Sequence, residues 1–178
     1  MRLCAGLVVS GIMLWLSGVA AASEIDWSEA VTRLTAERVK AIECVSLLKK
    51  HADIPAIAKG EVSYDKAKSQ MDAVIDKLSA ALGEDNASVQ PADLEAGIVD
   101  AVTSRREFCA TVEPFISKKP GEKNIFLDIM QDTIEPSIAA VRAIFASRDS
   151  GDLLARKTIQ TQLEAAKWPG FDKISAAQ

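Results

Sequence analysis

The chain has 178 residues, 48% of them hydrophobic and 26% charged, enough apolar side chain for one packed domain and too much for a disordered polymer. Its formal charge of −4, from 21 basic and 25 acidic residues, lacks the dense Lys/Arg field that nucleic acid or an anionic membrane surface requires. No nucleic-acid partner is expected.

The first element is not part of the fold. Arg2 precedes an uncharged run over 3–23 whose centre, 7–16, is strongly apolar and whose end, Val19-Ala20-Ala21-Ala22, offers the small residues of a signal-peptidase site. The pattern predicts a signal peptide over 1–22, removed near Ala22, and a single α-helical domain over 23–178 that is periplasmic or secreted. The alternative is an uncleaved anchor, since the run is just long enough to span a bilayer; Gly6, Gly11 and Gly18 dilute it. Cys4 lies ahead of the apolar core, whereas a lipoprotein cysteine would follow it. Beyond residue 23 charges interrupt every apolar run, so no stable membrane insertion of the mature chain is expected. Removal takes away Arg2 and no acid, moving the charge from −4 to −5 (20 basic against 25 acidic residues). It also leaves Cys44 and Cys109 alone in an oxidising compartment, where a disulfide is the default.

The first helix is predicted from Asp26 to about Lys50. Asp26-Trp27-Ser28-Glu29 has the form of a capping box, and Trp27, Val31, Leu34, Ala41, Val45 and Leu48 form a stripe at helical spacing. Lys49, Lys50 and His51 complement the partial negative charge of its C-terminus. Asp53-Ile54-Pro55 reads as a break, with a loop or short turn to Gly60. The second helix is expected from a Ser63 N-cap through Tyr64, Ala67, Met71, Val74, Leu78 and Ala81, ending at Gly83 in a left-handed conformation.

Pro91 suits the first turn of the third helix, whose stripe over 94–116 is Leu94, Ile98, Ala101, Val102, Phe108, Cys109, Val112 and Ile116. Pro114 should kink or stop it before a turn at 118–121. A fourth helix is expected to carry Phe126, Ile129, Met130, Ile134, Ile138, Val141, Ile144 and Phe145, bent in its middle by Pro136. A shorter fifth helix over 152–167 would be anchored by Leu153, Ile159 and Leu163, with Trp168-Pro169-Gly170-Phe171 as an aromatic cap on the bundle. The fold class is thus all-α: an up-down bundle of four long helices plus a shorter C-terminal helix, with an inter-helix disulfide. Cys44 lies 17 residues after Trp27 and Cys109 lies 18 after Pro91, so at about 1.5 Å per residue they stand at matching heights on two parallel helices.

The inventory for chemistry is thin. The one histidine, His51, has no Glu three residues before it, and no C-x-x-C-H occurs, so di-iron and covalent haem sites are not expected. Haem or metal held by His51 with Met71 or Met130 is a minor reading, because His51 suits a helix end and both methionines fall on core stripes. Asp128, Asp132 and Glu135 share one helix face and Asp72 and Asp76 another, and both sets read as solvated faces rather than calcium sites. No G-x-S-x-G or glycine-rich phosphate loop is present. The expectation is a non-enzyme with no catalytic residue, metal site or cofactor.

Arg38 and Arg105 interrupt apolar stripes. Inward-facing guanidiniums need acids such as Glu37, Glu43 or Glu107, or an anionic ligand; the simpler expectation is that both snorkel at the stripe's edge. The functional expectation is an exported bundle that binds another protein through 114–136 and the end carrying Trp168 and Phe171. An alternative is a carrier of a small anionic or amphipathic ligand, held between helices near Arg38 and Arg105.

Overall fold

A computed structural model describes residues 26–83, 88–115, 134–149 and 151–176. Among them are five α-helices, α1 Trp27–His51, α2 Ile54–Ala81, α3 Pro91–Ala110, α4 Glu135–Ala146 and α5 Leu153–Ala166, and no strand. No helix among these residues is long and apolar enough to cross a membrane.

The α1 start follows the capping pattern in half. The Asp26 carboxylate accepts from the Glu29 amide at 2.8 Å, but the Glu29 side chain turns forward to Arg33 at 2.6 Å. At the other end the chain breaks at Ala52 and Asp53, but the expected loop or short turn to Gly60 is absent, which corrects the sequence reading. Asp53 is itself an N-cap, its carboxylate accepting from the Ala56 amide at 2.9 Å, and Pro55 sits in the first turn of α2, where a missing N–H leaves no gap. Only Ala52 and Asp53 separate α1 from α2, so the two helices turn back sharply on one another. That turn brings Gly60 of α2 under Leu48 of α1, where a Cβ would overlap the Leu48 Cδ2 atom. Ser63 is therefore an interior residue, its hydroxyl donating back to the Lys59 carbonyl.

The stripes assigned to α1, α2 and α3 form one core, in which Leu34, Val45, Tyr64, Met71, Leu78, Leu94, Ile98, Phe108 and Val112 are buried. Gly83 does not take the left-handed conformation; Leu82 ends α2 in a right-handed one and the Gly83 amide donates to Ala80 O. Pro114 stops α3, which passes into a 3-10 turn at Glu113–Phe115. Ile116, the turn at 118–121 and the residues Phe126, Asp128, Ile129, Met130 and Asp132 lie outside the described residues. Pro136 occupies the first turn of α4, and the arm expected before it lies outside the described residues. Leu153 is no anchor: it is 56% exposed, and α5 is held by Ile159, Leu163 and Ala166.

Chain directions follow from the cross-links between helices. Glu37 to Arg105 and Cys44 to Cys109 both climb from α1 to α3 in the same order, so these helices are parallel. Gly97 lies against Val74 while Gly60 faces Phe108, so α2 runs antiparallel to α3. Cys44 and Cys109 are bonded with Cα atoms 5.4 Å apart across a sequence separation of 65, as the matching heights require. In the chain-entropy picture such a closure stabilises the fold by roughly 4 kcal/mol.

Candidate functional site

Beyond α5 the chain turns extended at Lys167 and then runs along α1 and α2 to a 3-10 turn at Phe171–Lys173. Residues 167–174 are strapped down chiefly through their backbone. Arg38 Nε donates to the Lys167 carbonyl at 3.0 Å, and the Tyr64 hydroxyl donates to the Pro169 carbonyl at 2.7 Å. Lys49 Nζ donates to the carbonyls of Phe171 and Ile174 at 2.6 and 2.7 Å, and lies 4.5 Å from the Phe171 ring centroid. In the opposite sense, the Trp168 amide donates to the Asp72 carboxylate at 3.2 Å. The α1 wall thus supplies cationic donors and the α2 wall a phenol and a carboxylate, the set of partners an extended backbone needs.

Two rings seat the strap. Trp168 and Phe171 are 3% and 5% exposed, and their ring centroids each lie 5.7 Å from that of Tyr64, which also meets Phe108 edge-on at 5.6 Å. These rings cap the bundle as expected, but as core, and so they offer no exposed aromatic patch. The fit is incomplete at one atom: Trp168 Nε1 is buried with no hydrogen-bond partner among the described residues. Beside the strap, α2 presents an open groove of about 440 Å³ lined by Asp65, Lys68, Ser69, Asp72, Ala73 and Asp76. Lys68 pairs with Asp72, and Lys167 Nζ lies 2.7 Å from Asp76 and 2.8 Å from Glu164. Those hydrogen bonds, to Asp76 first and Glu164 second, raise the Lys167 ammonium above its usual range. Burial likewise pushes the Tyr64 phenol up, helped by Asp72 and Asp65 and opposed by Arg38.

The two arginines part ways. Arg38 is half-buried and belongs to the strap. Arg105 does not snorkel, which corrects that expectation: it is fully buried, and its Nε donates to Glu37 Oε2 at 2.9 Å, with Glu37 only 4% exposed. Desolvation lowers the Arg105 guanidinium, and the neighbouring Glu37 carboxylate holds it up. One guanidinium thus donates to the Lys167 carbonyl and the other to Glu37.

Of the four binding residues read from the sequence, Arg38, Trp168 and Phe171 meet at the strap and Arg105 stands apart with Glu37. Lys49, Tyr64 and Asp72 were missed as strap partners. The available signal was Tyr64, a phenol on an otherwise aliphatic stripe, since a buried hydroxyl needs an acceptor. His51 is exposed at the end of α1, Met71 is core, and no group of three or more His, Cys, Asp or Glu residues converges among the described residues. Most of 114–136 lies outside the described residues.

The site is thus defined as a short segment, extended to Gly170 and turned at Phe171–Lys173, held by its main chain between two helices of a disulfide-clamped bundle. Comparison with protein-family models, curated protein sequences and solved structures finds no match.

Proposed function

We propose that the protein is an exported, non-enzymatic bundle that acts by binding another protein, and that it takes an extended segment of that partner between α1 and α2. The observation that carries this reading is the grip on 167–174, in which Arg38, Lys49 and Tyr64 bind four backbone carbonyls. Main-chain recognition of this kind transfers from one segment to another, because every segment carries the same carbonyls. The N-terminal pattern and a disulfide that persists in oxidising compartments support export.

The test is site-specific photo-cross-linking in the cells of origin, with the photoreactive residue placed at Ser69 on the groove or at Asp100 on the exposed face of α3. A discrete adduct of defined mass from Ser69 and none from Asp100 is the expected result. Adducts from neither position, or from both alike, would contradict it.

A further inference from the structure

We infer that residues 167–174 are a built-in occupant of a peptide site, displaced by a partner's extended segment that carries two large apolar residues, an aromatic second, at the Trp168 and Phe171 spacing. This rests on the protein-binding reading above and adds the partner's chemistry and a competitive mode of control.

Three observations carry it. The strap makes few backbone hydrogen bonds, Lys173 to Gly170 and Ile174 to Phe171 within it and Lys167 to Glu164 at its junction with α5, and beyond that junction is held by side chains of α1 and α2. Because α5 ends at Ala166, the strap can leave without unwinding a helix. It is also an imperfect occupant, since the orphaned Trp168 Nε1 carries the desolvation penalty of an unmade hydrogen bond. A segment with phenylalanine at that place fills the socket beside Tyr64 with no donor to satisfy. Arg38 and Lys49 of α1 and Tyr64 of α2 take carbonyls of the segment, and the Asp72 carboxylate of α2 takes one amide, so the socket meets main-chain groups from both walls. Sequence demands fall on the two ring positions, three residues apart, and on an apolar residue at the buried Ile174 place.

The experiment uses the full chain carrying Trp15→Phe and Trp27→Phe, which leaves Trp168 as the one tryptophan of the original three. It is titrated with a synthetic peptide of residues 165–176 carrying Trp168→Phe, so that only the chain's own Trp168 emits. The expected result is a saturable red shift of the emission as the indole moves into water. In a chain that also carries Phe171→Ala, or the milder Phe171→Leu, the strap competes less well and the midpoint should fall by about tenfold or more. A peptide with alanine at both ring positions should give no shift.

No shift with any of these chains, or an equal shift with the ring-less peptide, would overturn the inference. So would a doubling of the chain's mass in light scattering, which would show the strap passing to a second copy instead of yielding to a different partner. If peptides fail while the Ser69 cross-link persists, protein binding stands and displacement of the strap falls.

Discussion

The Tyr64 hydroxyl and the Pro169 carbonyl are joined by a 2.7 Å hydrogen bond inside a ring cluster closed to solvent, so the strap is tied to the protonation of one phenol. Burial first, then Asp72 and Asp65, raise this phenol above its ordinary value of 10.0. Above that pH the unfolded chain loses the proton while the folded chain keeps it, so stability is complete below about pH 10 and falls as pH rises towards the folded value. Tyr64 is the sole tyrosine, so tyrosinate absorbance reports it directly. The absorbance step should come well above the ordinary phenol range in the native chain and return to it in urea. Tyr64→Phe should cost about 1 kcal/mol at neutral pH and flatten the alkaline decline.

Glu37 and Arg105 cross from α1 to α3 on the same side as the disulfide, a buried ion pair in which Glu37 also meets Lys40 at 3.3 Å. Glu37→Ala should destabilise by about 3 kcal/mol, because it takes the Glu37 carboxylate away from a buried guanidinium. The double change Glu37→Leu with Arg105→Met should recover most of that loss in urea denaturation, as apolar replacements of a buried pair often do.

Gly60 is set by contact rather than by backbone conformation. Its missing Cβ is what lets α2 lie on Leu48, and Phe108 Cε2 is 3.7 Å from the same point. Gly60→Ala should therefore cost about 1–3 kcal/mol despite the helix propensity gained, whereas Gly151→Ala, with open space around it, should stay within about 0.5 kcal/mol.

The disulfide sets a scale for the whole bundle. Replacing Cys44 and Cys109 together by alanine should lower stability by roughly 4 kcal/mol while leaving the far-ultraviolet helical signal, since the buried stripes of α1, α2 and α3 remain.

What periodicity governs was legible. The stripes of α1, α2 and α3, the Asp26 cap, Pro91 as a first-turn residue and the pairing of Cys44 with Cys109 all follow from spacing and local chemistry. The start of α2 was misread because Asp53-Ile54-Pro55 carries two opposite meanings, a break or an N-cap with a first-turn proline, and the choice depends on Leu48 accepting Gly60 across the turn. Arg105 was misread for a similar reason: Glu37 was among the acids that could meet it, but no local pattern discloses that two residues 68 apart are buried together. The strap was half legible. Its aromatic residues marked a cap, but its partners Arg38, Lys49, Tyr64 and Asp72 come from two helices more than 90 residues earlier in the chain.

The most direct test of a strap that opens by itself is native-state amide hydrogen exchange on the full chain, followed at Trp168, Lys173 and Ile174 and compared with the α2 and α3 core. An occupant that can be displaced gives strap amides that exchange through a local opening, with a free energy well below that of global unfolding and nearly independent of low denaturant. The contrary result is exchange of these amides only with the core, at the global free energy and with its full denaturant dependence. The strap would then be a fixed part of the bundle, with no site for a partner to claim.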